Sequence, residues 1–140
     1  MSVTLCREDG TYEGGRELTA TWRVSRVKMD SVTAIEISVL WYTEGKGDTD
    51  LHVHHFERLE SDQIRRSGLA DAQSLSCLLP ATPLSYHGRL IRLHWCVRMR
   101  LFLSDGREIV TDQPFYLVAP QSREKGVASV IGADRRGRPQ

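Results

Sequence analysis

The chain has 140 residues, 40% of them hydrophobic and 26% charged, with 19 Lys and Arg set against 18 Asp and Glu. A single domain of this length buries roughly 70% of the surface its unfolded chain exposes, so a core forms without disulfide or metal. A net charge of +1 excludes a binder held by a global positive field, and nucleic acid is not the expected partner.

The amino terminus reaches Arg7 without an apolar run, so no secretory leader is expected. Ser2 to Arg7 reads as an opening strand, followed by turn signals at Asp9-Gly10 and Gly14-Gly15. From Arg16 to Val24 the residues alternate. Leu18, Ala20, Trp22 and Val24 share one face, and Glu17, Thr19, Thr21 and Arg23 share the other. A period of two is the mark of a strand with one buried face. Thr33 to Thr43 repeats the pattern with Ile35, Ile37, Val39 and Trp41, although Leu40 and Tyr42 break its polar side. Gly45-Lys46-Gly47 marks the next turn. Leu51 to Leu59 alternates and then loses phase at His54-His55, which predicts a β-bulge. Ser61 to Ala72 is the best place for a turn of helix, but its polarity and Gly68 favour a loop. Leu75, Cys77 and Leu79 alternate in a short strand.

The strongest pattern runs from Arg89 to Leu103. Ile91, Leu93, Trp95, Val97, Met99, Leu101 and Leu103 take the odd positions, and Arg92, His94, Arg98 and Arg100 the even ones. Leu90, Cys96 and Phe102 predict local burial on the even face as well. Ser104-Asp105-Gly106 then joins two strands as a hairpin. Glu108 to Val118 reads as a strand interrupted at Pro114, whose missing N–H places it at an edge or a break. Beyond Gln121 the chain is polar and ends in arginines, so residues 121–140 are expected to form a flexible basic tail, with Val127 to Ile131 as a candidate late strand. Residues 1–120 are expected to hold the domain. About seven or eight strands, short turns and no helical periodicity predict an all-β, antiparallel, two-sheet sandwich of the immunoglobulin-like type. No apolar run approaches the roughly 20 residues of a membrane helix. Cys6, Cys77 and Cys96 are odd in number and share no CxxC spacing, as expected of reduced thiols in a cytoplasmic protein.

Three segments resemble the arrestin-like family. "DGTYEGGRELTATWRV", Asp9 to Val24, is similar to its opening tyrosine, glycine turn and strand. "LLPATPLSYHGRLIRLHWCVRMRLFL", Leu78 to Leu103, is similar to its proline-bounded linker, Ser-(aromatic)-x-Gly turn and long strand. "QPFYLV", Gln113 to Val118, is similar to its Pro-Phe closing strand. The family includes arrestins, the arrestin-related retromer cargo subunit and bacterial sporulation-control proteins. The resemblance implies a non-enzymatic binding or scaffolding module, and no site residue of the family is carried over.

The residues themselves offer three candidate sites. "TEGKGDTD", Thr43 to Asp50, fits neither a Walker loop nor a calcium loop. Read blandly it is a charged hairpin tip. Loops at the end of a sandwich also carry recognition, so Glu44, Lys46, Asp48 and Asp50 are candidate partner-binding residues. Arg92, Arg98 and Arg100 share a face with His94, either as a solvated stripe that resists aggregation or as a site for an acidic or phosphorylated partner. His52 and His54, two positions apart on a strand, can share a metal if His94 or His87 supplies a third ligand; otherwise they lie on a solvated face. Nothing resembles a nucleophile elbow, and no base is placed beside a cysteine, so neither an enzyme nor a cofactor is expected. Cys96, among arginines, reads either as a small buried residue or as a thiolate with a lowered pKa. The favoured reading is a module that binds a protein partner, or itself, through a sheet edge or its end loops. A metal site at His52 and His54 is the alternative, and peripheral binding to an anionic surface is a third.

Overall fold

Alternating residues sort the chain into two layers. A computed structural model describes residues 2–24, 29–47, 49–67 and 73–120. Among them are nine strands: β1 (Ser2–Leu5), β2 (Thr11–Glu13), β3 (Glu17–Arg23), β4 (Val32–Gly45), β5 (Leu51–Glu60), β6 (Gln73–Leu78), β7 (Tyr86–His87), β8 (Ile91–Leu103) and β9 (Glu108–Val118). One sheet has the order β1-β3-β6; the other runs β2-β9-β8-β4-β5, with β7 paired to the start of β8. The pairings are antiparallel apart from β2 on β9, which is parallel.

The core is the seam between the sheets. Leu18, Ala20, Trp22, Leu75 and Cys77 from the smaller sheet meet Ile35, Ile37, Val39, Trp95, Val97, Met99 and Leu101 from the larger. Burial of each large side chain contributes about 1.5–3 kcal/mol relative to exposure. Trp95 is completely buried, and its one polar atom is satisfied because Nε1–H donates to the Pro83 carbonyl at 2.7 Å. The proline-bounded linker is therefore fastened to the centre of the core. Its Leu79 is buried and exchanges backbone hydrogen bonds with the opening glycine turn, from Leu79 N to Arg16 O at 2.8 Å and from Gly15 N to Leu79 O at 3.1 Å.

The predicted bulge is present. Val39 faces His55 and Leu40 faces Val53, so His54 is the extra residue of β5. Leu40 and Cys96 are buried on the outer face of the larger sheet, as their break in the polar pattern implied.

Three expectations are corrected. Ile91 is in phase with the core yet 44% exposed, and Leu90 is 66% exposed, because the packed layers stop short of the start of β8. Ser61–Ser67 is a short helix, α1, rather than a loop. Its buried Ile64 plugs into the body. Its first turn is capped where Glu60 N donates to Gln63 Oε1 at 2.8 Å, and Arg65 pairs with Asp62. β9 runs through Pro114 without interruption, opposite Cys96. The missing N–H is harmless there because β2 pairs only with Tyr116, Leu117 and Val118, which leaves a local edge beside the proline. Cys96, by contrast, is the small buried residue of the two readings: burial pushes its thiol up to about 12, with Asp112 adding to the shift, so it is not an activated thiolate despite nearby Arg98. Asp48, the residues after Ser67 up to Ala72, and the tail with Val127 to Ile131 lie outside the described residues.

Candidate functional site

The β4–β8 pairing carries the two loops at one end of the larger sheet alongside each other. Glu44 stands opposite Arg92, and Gly45 opposite Ile91. Gly45 has a φ of 143°, and Lys46 N donates to the Leu90 carbonyl at 3.1 Å. A Cβ at Gly45 would run into that same carbonyl oxygen, so the close approach requires glycine. The loop closes on itself, with Thr43 N donating to Asp50 O and Asp50 N donating to Thr43 Oγ1, both at 2.9 Å.

Between these loops lies a cleft of about 270 Å³, lined by Glu44, Lys46, Arg89, Leu90, Ile91 and Arg92 among others. Lys46, Arg89 and Arg92 make no ion pair among the described residues. Glu44 instead accepts from His94 Nε2 at 3.0 Å, while the His94 ring packs on Tyr42 and lies 5.5 Å from that of His87.

Lys46 and Arg92 therefore meet at one end, with Glu44 and His94 beside them. Arg98 and Arg100 do not join them. Arg98 grips Asp112 with two bonds, Nε to Oδ1 at 2.8 Å and Nη2 to Oδ2 at 3.0 Å, and Arg100 reaches Glu108 at 3.2 Å. Arg58 continues this outer ladder, held by Glu36 and Glu60 and lying over the Phe102 ring. The outer face is thus neutralised by cross-strand pairs.

The histidines point to separate partners. His52 stacks on Trp41, with centroids 4.6 Å apart and planes at 13°. His54 Nε2–H donates to the Leu78 carbonyl at 2.7 Å, and its ring meets Trp95 edge-on, so it faces the core side and ties β5 to β6. His94 lies on the opposite face of the sheet, with Arg98 and Arg100. Among the described residues no group of three or more His, Cys, Asp or Glu side chains is arranged to hold a metal.

Two features escaped the sequence reading. Arg89 belongs to the cleft because the turn at Gly88 sets it beside Lys46, and only the β4–β8 register reveals that. The second is β5. Among the described residues it pairs with β4 alone, and its Leu51, Val53 and Phe56 are each 51% exposed.

Two mainly antiparallel layers, closed by a proline-bounded linker that runs into the long central strand, make this an arrestin-like β-sandwich. The solved structure of Spo0M, the sporulation control protein from Bacillus subtilis, matches it with a TM-score of 0.52 at 12% identity, over 85% of this chain and 49% of that one. The chain thus spans about half the length of that protein, and the likeness concerns the fold alone. No match was found to a protein-family profile or to a curated protein sequence. Among the described residues, no helix is long and apolar enough to cross a membrane.

Proposed function

We propose that the chain is a non-catalytic recognition module whose end cleft receives an acidic segment of a protein partner. One observation supports this above the rest. Among the described residues Lys46, Arg89 and Arg92 line one cleft and make no ion pair, whereas Arg58, Arg98 and Arg100 on the same sheet are each paired. Exposed Leu90 and Ile91 line the same cleft and offer an apolar contact next to the cations. A matching segment carries two or three carboxylates beside one apolar side chain. Hydrogen bonds to charged groups contribute about 1.5–3 kcal/mol each, enough to give such a segment measurable affinity. Lys46 and Arg92 contact the carboxylates in this reading, Glu44 holds His94 at the rim, and Asp50 belongs to the loop that frames the opening. Arg98 and Arg100 take no part.

Fluorescence anisotropy with acidic-apolar, neutral and basic peptides tests it. Acidic peptides bind best, salt weakens them, and Lys46→Glu with Arg92→Glu removes binding while Arg66→Glu on α1 leaves it intact. Equal binding of neutral peptides, or indifference to the double reversal, defeats the proposal. Binding to phosphatidylserine vesicles but to no peptide would replace the protein partner with an anionic surface.

A further inference from the structure

Glu44 lines the end cleft together with Lys46, Arg89 and Arg92. An acidic segment that enters meets those three cations and one like charge. The like charge is held by a titratable group, because His94 Nε2–H donates to Glu44 Oε1 at 3.0 Å. A neutral imidazole leaves the negative charge of Glu44 in place, whereas an imidazolium cancels it within the pair. Histidine is the side chain that makes this change between about pH 5 and 8.

A second imidazole stands beside the first. The β7–β8 pairing sets His87 opposite Arg92, and its ring lies 5.5 Å from that of His94. Two imidazolium rings at that spacing, next to Arg92, repel one another, and an arriving carboxylate relieves the repulsion. Binding of an anion and uptake of protons therefore favour each other. The other groups around the pair do not supply the same change. Tyr42 on β4 packs on His94, and Cys96 follows it on β8; burial raises the pKa of both, so they stay protonated through this range. Tyr116 on β9 offers a phenol edge to His87. Farther along the face, Arg98 and Asp112 neutralise each other.

On the reading of the end cleft as the seat of an acidic segment, we propose that His94 and Glu44, with His87 beside them, make that seat pH-dependent, so that it grips its segment more tightly as the imidazoles take up protons. Falling pH removes a repulsion and adds positive charge at the rim. The side chain of His94 is 26% exposed and that of Glu44 59%, so water screens the coupling. Affinity is expected to rise about threefold to fivefold from pH 8 to pH 6.

Anisotropy at constant ionic strength, with a rhodamine-labelled peptide of two aspartates and a leucine, reads the slope. The native chain binds more tightly at pH 6 than at pH 8. His94→Gln, which keeps an N–H donor for Glu44 but cannot charge, flattens the profile. Glu44→Gln tightens binding at pH 8 about threefold. His55→Gln, on β5 and away from the cleft, keeps the native slope. Titration calorimetry at pH 7 in phosphate and in Tris counts the protons: the native chain takes up a fraction of a proton per peptide, and His94→Gln takes up less. Circular dichroism confirms that each variant keeps its strands. A native profile that is flat or weakens toward pH 6, a slope unchanged in His94→Gln, equal flattening by His55→Gln, or no gain at pH 8 in Glu44→Gln overturns the proposal and leaves the cleft reading standing. Absence of peptide binding at both pH values removes the cleft reading, and this one with it.

Discussion

β8 and β5 are long strands of one sheet, and both alternate, yet they meet opposite fates. Trp95, Val97, Met99 and Leu101 on β8 show no solvent exposure, while Leu51, Val53 and Phe56 on β5 are each 51% exposed. β8 has β4 on one flank, β7 and β9 on the other, and the smaller sheet packed over its inner face. Among the described residues β5 has β4 alone. Alternation assigns a residue to a face; neighbours decide whether that face is dry. The same contrast separates the arginines. Arg98 and Arg100 lie mid-sheet, where register supplies Asp112 and Glu108, whereas Arg92 lies at the end, where Glu44 is already engaged by His94.

The sharpest way to break the comparison is to truncate both strands. Trp95→Ala is expected to cost about 3–5 kcal/mol in urea unfolding, through lost burial, a cavity and an unsatisfied Pro83 carbonyl. Phe56→Ala at the edge should stay within about 0.5 kcal/mol. Comparable losses would mean that β5 is not an open edge.

Alkali probes the same asymmetry through the thiols. Burial pushes Cys96 from its ordinary 9.0 up to about 12 and Cys77 up to about 11. The folded chain therefore keeps protons that the unfolded chain gives up above about pH 9. The contribution of these groups is complete below that pH and is lost as pH rises toward the folded values. The thiols' share of the urea midpoint should be constant just below about pH 9 and fall beyond it, less steeply in Cys96→Ala. A flat alkaline limb in the native chain would contradict the burial of Cys96.

Gly45→Ala tests the end of the sheet. Straining the positive φ and displacing the Leu90 carbonyl is expected to cost about 1–3 kcal/mol and to reduce peptide binding at the cleft. The smallest effects come from the arginines. Arg98→Ala, which breaks the pair with Asp112, should lose about 1 kcal/mol or less, since Asp112 is 39% exposed. Arg92→Ala should leave stability unchanged and lower only binding, as followed by anisotropy.

Particular residues show where a linear reading stops. α1 was read as a loop because seven residues are too few to display a helical period, and its hold on the body is the buried Ile64. Pro114 seemed to forbid a continuous strand, since the sequence does not say that β2 begins only opposite Tyr116. The bulge at His54 was visible as a lost phase. The direction of the His54 ring was not, because its partner is a carbonyl on β6 in the other sheet. Of the partner-binding candidates, Lys46 and Arg92 meet at the cleft, whereas Arg98 and Arg100, equally prominent on the same stripe, do not.

By itself the sequence determined the class of architecture and most of its core, because side chains that point alternately up and down a strand force a period of two and a two-layer solution. The arrestin-like resemblance followed from the glycine turn, the linker prolines and the strand they precede. The tertiary structure alone decided which strand lies at the edge of the described sheet, which arginines are held in cross-strand ion pairs and which histidines are spoken for. Those properties depend on what crosses from a different strand at the same height, and register and layer packing set that between residues far apart along the chain.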